Sequence, residues 1–191
     1  MGLKTHGITT NTNKKLMLGA GALYKNLTHE ASTGWSGTPF AATSGGLKFN
    51  YESTYLDVEI DGANVLVKNV SKQKVGEKAS LEGAVTELSE NLLVDAWHLQ
   101  KDTSNSLTDY DLYIPKDSLT DDDYLDNVAY VGKLSNGKKV IIIIPNAVCL
   151  EAAAIEAKNA TQQTYNVVFQ GTASIDQDDL DTLDLKIYYP K

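Results

Sequence analysis

Arginine is missing from this 191-residue chain, whose seventeen basic residues are all lysine. Arginine's planar fork is the usual bidentate reader of phosphates and guanine edges, so its absence argues against a nucleic-acid recognition module. The net charge of −8 points the same way, because an acidic surface repels DNA. Cysteine is nearly missing too. Cys149 stands alone and cannot form an intrachain disulfide, which suits a reducing compartment and a protein held by packing and assembly. No apolar run approaches the roughly 20 residues that a membrane span needs. The nearest approach to a leader is KKLMLGAGALYKN at 14–26, where Ala20-Gly21-Ala22 mimics a cleavage site. Its apolar run starts late, contains two glycines and meets Tyr24-Lys25 at once. A glycine-containing first strand is therefore expected, with synthesis inside the cell. The sequons at Asn26, Asn69 and Asn159 then carry no weight.

Catalytic and metal-binding patterns are also scarce. His6, His29 and His98 lie far apart without ligand spacing, and His98 falls beside an apolar stripe where a packing role is expected. Cys149 sits in an apolar run and reads as a small core residue. GAGALY lacks the third glycine of a dinucleotide fingerprint, and neither a Walker sequence nor G-x-S-x-G occurs. DQDDLDTLDLKI (176–187) starts like a calcium loop, but Asp181 stands at the sharp-turn glycine position and Ile187 at the bidentate glutamate position. Asp121 to Asp123 read as a solvated turn. No nucleophile–base pair can be assembled, so no enzyme and no cofactor are expected.

The residues that are present mostly alternate. The length and composition favour a single domain over 1–191. Residues 1–13 are polar and aperiodic and read as an arm. Residues 28–46, rich in Gly, Ser, Thr and Pro, read as a long loop carrying Trp35 and Phe40, either for a protein contact or packed back on the core. Leu47, Phe49 and Tyr51, then Leu56, Val58 and Ile60, follow the period of half-buried strands. TYLDVEIDGANVLVKN (54–69) reads as a hairpin turning at Asp61-Gly62 or Gly62-Ala63, with Val65 and Val67 returning on the face of Val58 and Ile60. Its carboxylates Asp57, Glu59 and Asp61 stand about 7 Å apart along a strand, too far for one calcium ion. They read as a solvated face, with Lys68 opposite Asp57 in one register.

The run 70–85 places Val75, Ala79, Leu81 and Val85 on one side and Lys72, Lys74 and Lys78 on the other. LSENLLVDAWHLQ (88–100) then changes to helical spacing through Leu92, Leu93, Ala96 and Trp97, with Ser89 as N-cap and a Leu88–Leu93 staple. Residues 101–127 form an acidic, turn-rich excursion with a short strand at 110–114. A hairpin is expected around Asn136-Gly137, both at positive φ. Residues 140–144, apolar on both faces, belong in a central strand. The segment 149–160 has helix-like composition but lies between strands, and strand is favoured. Strands are expected again in TYNVVFQGTASI and LDLKIYYP. The sum is mainly β: an antiparallel β-sandwich or barrel with one packed α-helix at about 88–100.

In order and wording, GAGALYKN, a segment ending in ATSGG, LDVEIDGANVLVKN and ASLEGAVTELSENLL resemble the tail tube (major tail) proteins of tailed bacteriophages. The matching residues are Gly19, Gly21, Thr43, Gly45, Gly46, Glu59, Asp61, Gly62, Lys68, Glu87, Leu88, Ser89 and Glu90. NGKKVIIIIPNAVC and YNVVFQGTAS look like the family's closing hairpin and strand. The likeness covers most of 16–175 and leaves 101–127 unplaced; the alanine-rich 150–157 and the lysine-only basicity depart from it. It implies a tail-tube-like fold with an extended arm and a long hairpin, and a virion protein assembled in the host bacterial cytoplasm. Such subunits form hexameric rings whose hairpins join edge to edge, stacked into the tube through which DNA leaves. The partners implied are further copies of the chain and the tail tip, tape measure and tail terminator proteins, with DNA passing through the lumen without specific binding and no membrane. On this reading Asp57, Glu59, Asp61, Gly62, Val65, Val67 and Lys68 form the assembly hairpin. Trp35, Phe40, Thr43, Gly45 and Gly46 lie on an inter-ring loop. A contractile-tail or tailocin-type tube, or a β-sandwich carbohydrate or adhesion module using Trp35 and Phe40, are the alternatives.

Overall fold

The computed structural model describes residues 5–17, 19–62 and 65–191. Most regular structure among these residues is in ten strands: β1 (Ala22–Glu30), β2 (Gly34–Ala41), β3 (Thr43–Asp57), β4 (Lys72–Val85), β5 (Leu99–Leu107), β6 (Tyr110–Pro115), β7 (Leu125–Lys133), β8 (Lys139–Cys149), β9 (Tyr165–Gly171) and β10 (Lys186–Tyr188). The main sheet runs β2-β1-β7-β8-β9-β4-β3, with β10 added beside β8, and every pairing is antiparallel. β5 and β6 form a separate two-stranded sheet. The mainly β, antiparallel architecture expected from the alternation is the one observed.

The sheet is strongly curled. Phe40 on β2 and Phe169 on β9 meet edge to face, with ring centroids 5.1 Å apart. These strands are four positions apart in the sheet order, about 19 Å at the usual strand spacing if the sheet were flat. Curling encloses one core of Leu23, Phe40, Leu81, Val85, Val128, Ile144, Val167 and Phe169.

β8 is the hinge of this curl. Ile142 and Ile144 face the core, then Ala147 and Cys149 do, so the inward parity switches from even to odd between them. Pro145 and Asn146 lie at the switch, and Asn146 adopts a positive φ of 43°. Ile141 and Ile143 face the other way, into a second apolar cluster with Leu27 and Ala129. Coverage of both faces explains the unbroken KKVIIII run and the central position expected of it.

Several expected elements differ. Residues 28–46 are not a long loop but the end of β1, a tight turn, β2 and the start of β3. Serine, threonine and glycine suit an edge strand there, and Pro39 is tolerated because an edge strand can leave an N–H unpaired. The expected helix is shorter than 88–100. Its centre is a π-helical turn, Leu92–Ala96, closed by Trp97 N–H donating to the Leu92 carbonyl at 3.0 Å. Leu92 and Ala96 do enter the core, whereas Leu88 stays exposed and β5 already begins at Leu99. Residues 149–160 are neither strand nor helix beyond Cys149. With Ala152, Ala153 and Ala154 exposed, no packing selects either state. At 134–138, Gly137 has φ 86° and Asn136 is not at positive φ. Gly137 N–H bonds the Leu134 carbonyl, and Leu134 N–H bonds that of Lys138, so a single left-handed residue closes this longer turn. The excursion 101–127 contains β5, β6 and a 3-10 turn, Asp121–Asp123, and the strand expected at 110–114 is β6. A four-residue helix, Thr12–Lys15, interrupts the expected arm, whose first four residues lie outside the described ones.

Candidate functional site

The β3–β4 hairpin exists, but its turn is not where the alternation places it. The ladder runs from Thr43↔Val85 to Asp57↔Lys72, and the described residues of 58–71 form no strand. Val67 N–H is taken by the Ser71 hydroxyl at 2.8 Å, Ser71 N–H returns to the Val67 carbonyl, and Asn69 is left-handed at φ 63°. This local turn withdraws Val65 and Val67 from strand pairing. Asp57 therefore bonds Lys72 at 2.5 Å rather than facing Lys68. Gly62 keeps a turn conformation at φ 84°; the alternative centre at Gly62-Ala63 lies partly outside the described residues. Glu59 and Asp61 are exposed on the loop, and Val65 and Leu66 are 78% and 73% exposed beside them. The sequence places a carboxylate row on one strand, whereas in the structure only Asp57 stays on β3, and Glu59 and Asp61 leave it to stand beside the exposed Val65 and Leu66.

Two irregularities shape the hairpin below this tip. Gly45 and Gly46, both at positive φ, form a bulge in β3 between Ser44 and Leu47. Val75 is an extra residue in β4, between Lys74 opposite Tyr55 and Gly76 opposite Thr54. An inserted residue exchanges the faces beyond it. Lys72 and Lys74 consequently lie on the side of Ala79 and Leu81, past the end of the core, and Lys78 lies on the other side. Lys74 reaches Glu77 and the Tyr51 hydroxyl. The single lysine face read from the sequence is thus divided. The remaining outer face of β3, β4 and β9 is polar and paired in charge: Lys48 bonds Glu82 at 3.1 Å, Glu52 stands opposite Lys78, and Ser80 stands between Asn50 and Gln170.

The residues expected on one inter-ring loop are separated. Phe40 is buried in the core. Trp35 is 37% exposed on the outside of β2, edge to face with His29 and Tyr188 at 4.8 and 4.9 Å. Thr43 begins β3, and the two glycines make the bulge.

Sequence reasoning misses two polar clusters, one half-buried and one centred on a buried carboxylate. Lys25 faces inward on β1 and bonds Asn91 at 2.9 Å and Asp95 at 2.5 Å, while Asn91 donates to the Phe40 carbonyl. These bonds fix the π-helical turn on two strands. The second cluster centres on Asp123, read from the sequence as part of a solvated turn. Asp121 and Asp122 are exposed, but the Asp123 side chain is 1% exposed. It accepts hydrogen bonds from Thr120 N–H and hydroxyl and from Lys116 at 2.6 Å, and His98 Nδ1 lies 3.3 Å away. Burial pushes the Asp123 carboxyl pKa up, but the bonds from Lys116 and Thr120 outweigh it and hold the value at about 2. His98, left-handed at φ 53°, bonds the Cys149 carbonyl through Nε2. His98 precedes β5 and Lys116 follows β6, so one carboxylate gathers both ends of the β5–β6 hairpin. The Thr120-x-x-Asp123 spacing is the available signal, since it is a capping-box pattern.

Among the described residues no group of three or more His, Cys, Asp or Glu could hold a metal ion, and no helix is long and apolar enough to cross a membrane. No family model matches the chain, and no curated protein matches it in sequence. Solved structures similar to it include two particle assemblies. One, described as the tail of an empty GTA particle computed with helical refinement and C6 symmetry, is 10% identical, with 81% of this chain and 92% of that chain covered and a TM-score of 0.40. The other, described as the virion of a native gene transfer agent (GTA) particle, is 9% identical, with 91% and 100% covered and a TM-score of 0.42.

Proposed function

We propose that this chain is the structural subunit of a phage tail tube, polymerising as stacked, hexameric rings that conduct DNA into the host. The observation that carries this reading is the open edge of β3. Thirteen of its fifteen residues pair with β4 on one side, and among the described residues no strand pairs with the other side. A long free edge is a liability in a monomer and an adhesive surface in an assembly. The opposite edge of the same sheet is a different strand, β2. Two unlike edges permit head-to-tail pairing of copies, the arrangement that closes into rings. Asp57 then closes the strand ladder with Lys72, and Glu59, Asp61, Gly62, Val65, Val67 and Lys68 lie on the loop beyond it, which meets the next ring. Trp35 and the Gly45–Gly46 bulge are separate surfaces rather than one inter-ring loop.

The polar outer face of β3, β4 and β9 is the lumen wall in this reading. Paired charges such as Lys48–Glu82 leave it close to neutral, so DNA would slide past without the lysine groove that a DNA binder needs. The tail tip, tape measure and tail terminator are the further partners, and a contractile tail would use the same subunit surfaces. Negative-stain microscopy across a concentration series tests the proposal. Tubes or six-fold rings are the expected outcome; a particle that stays monomeric at millimolar concentration refutes it.

A further inference from the structure

Along one edge β8 pairs continuously with β7, but its other edge is shared. Ile141–Ile143 pair with β10 and Ala147–Cys149 with β9. Between them Ile144, Pro145 and Asn146 pair with neither, and the sheet forks. A crevice of about 530 Å³ opens at this fork, away from the core, within the size range of small-molecule sites.

The side chains in the crevice are of two kinds. Trp35, Tyr188 and His29, from β2, β10 and β1, form a continuous edge-to-face aromatic group. Asp126 on β7 and Gln177 on the segment after β9 bring polar groups. The Asp126 carboxylate has no hydrogen-bond or ion-pair partner among the described residues. Gln177 spends its carbonyl oxygen on Ser174 N–H at 3.0 Å, which leaves its NH₂ group free to donate.

We propose that this crevice binds a pyranose sugar. A pyranose has an apolar C–H face, which the exposed aromatic rings suit, and a rim of hydroxyls that both donate and accept. A free carboxylate and a free amide NH₂ answer that rim. Lys186, also in the lining, is spent on Asp184 at 2.6 Å, so the unpaired Asp126 leaves a net negative charge that disfavours anions, and the charged lining disfavours a wholly apolar ligand. The site is independent of tube formation.

Saturation-transfer NMR on the full chain tests this, with glucose, galactose, N-acetylglucosamine and chitotetraose as probes. Transfer to ring C–H protons at millimolar sugar is expected, weakened at least tenfold in Trp35→Ala and in Asp126→Asn. Circular dichroism and Tm would show both variants folded, and Asp126→Asn, which alters no packing, keeps the test sound should Trp35→Ala unfold. Absence of transfer from every probe, or equal transfer in both folded variants, overturns the proposal. Chitotetraose binding tenfold more tightly than N-acetylglucosamine supports it with a polymeric surface glycan as source. Equal affinities support it with a free sugar.

Discussion

Replacing Asp123 with asparagine probes the most heavily committed charge in the molecule. The native carboxylate is nearly inaccessible, takes bonds from Lys116 and Thr120, and has its pKa lowered from 3.8 to about 2. A folded-state pKa below the unfolded one means that stability is present above the unfolded value and lost as pH falls towards the folded one. The difference corresponds to about 2 kcal/mol at neutral pH, from 1.36 kcal/mol per unit. The amide in Asp123→Asn would keep the shape and could still accept from Thr120, but Lys116 would lose its counter-charge in a setting where it is only 16% exposed. Removing one partner of a buried pair costs about 3–5 kcal/mol where both groups are fully enclosed, so about 2–4 kcal/mol is expected here.

The assay is urea unfolding of wild type and Asp123→Asn between pH 2 and pH 7. Taking the difference between the proteins removes the other titrating groups from the comparison. The gap is expected to be full above about pH 5, to narrow below pH 3.8 and to close to within about 1 kcal/mol near pH 2. Because Asp123 holds both ends of the β5–β6 hairpin, amide exchange in 99–115 should quicken more than in β8. A gap independent of pH from 7 to 2 would refute the electrostatic account of this site, and a gap near zero throughout would refute the pairing itself.

Four further outcomes follow from the same contacts. Phe40→Ala should cost about 3–5 kcal/mol in chemical unfolding, whereas Trp35→Ala, on the outer face, should cost under about 2 kcal/mol. Gly21→Ala should cost about 2–4 kcal/mol and lower Tm, because Gly21 has φ 75° and an added Cβ would overlap the Tyr130 ring. Cys149 should react with a thiol reagent at pH 8 only as the protein unfolds, since burial raises its pKa and covers its sulfur. Gly62→Val should leave a folded monomer, as nothing lies within 4 Å of the added Cβ, but the strained φ should impair tube formation in microscopy.

Strand content is legible because period two survives wherever one face is buried: Ala79, Leu81 and Val85 on β4, and the doubly covered 140–144 on β8, lie where the alternation puts them. The misreadings share a physical origin. Alternation in 58–67 mimics a strand, but a hydroxyl, that of Ser71, competes for the backbone and wins. In 28–46 small polar residues mimic a loop, yet an edge strand facing solvent needs no apolar stripe. The helix expected at 88–100 is right in burying Leu92 and Ala96, but Leu93 stays out of the core, and the helix is too long because His98 turns left-handed to reach the Cys149 carbonyl, a contact 51 residues away in sequence. Asp123 is hidden in a run of three acids because only tertiary contact distinguishes it from its neighbours.

The bulge at Val75 shows why the functional faces are harder to read than the fold. A strand's two sides follow from parity only while every residue is paired, and one extra residue exchanges them for all that follow. Counted from the core, Lys72 and Lys74 should share a side with Lys78; counted through the bulge, they do not. Lys78 stays on the outer face opposite Glu52, whereas Lys74 turns to Glu77 and Tyr51 and Lys72 to Asp57. Each lysine thereby gains a carboxylate at or across from it, and the hairpin carries no unbalanced cationic stripe. A strand with a continuous lysine stripe would attract a DNA backbone, whereas a bulged one with its charges matched presents only a polar wall. In the tube proposed above, that local insertion, rather than the overall charge of −8, is what keeps the outer face of β3 and β4 from holding DNA.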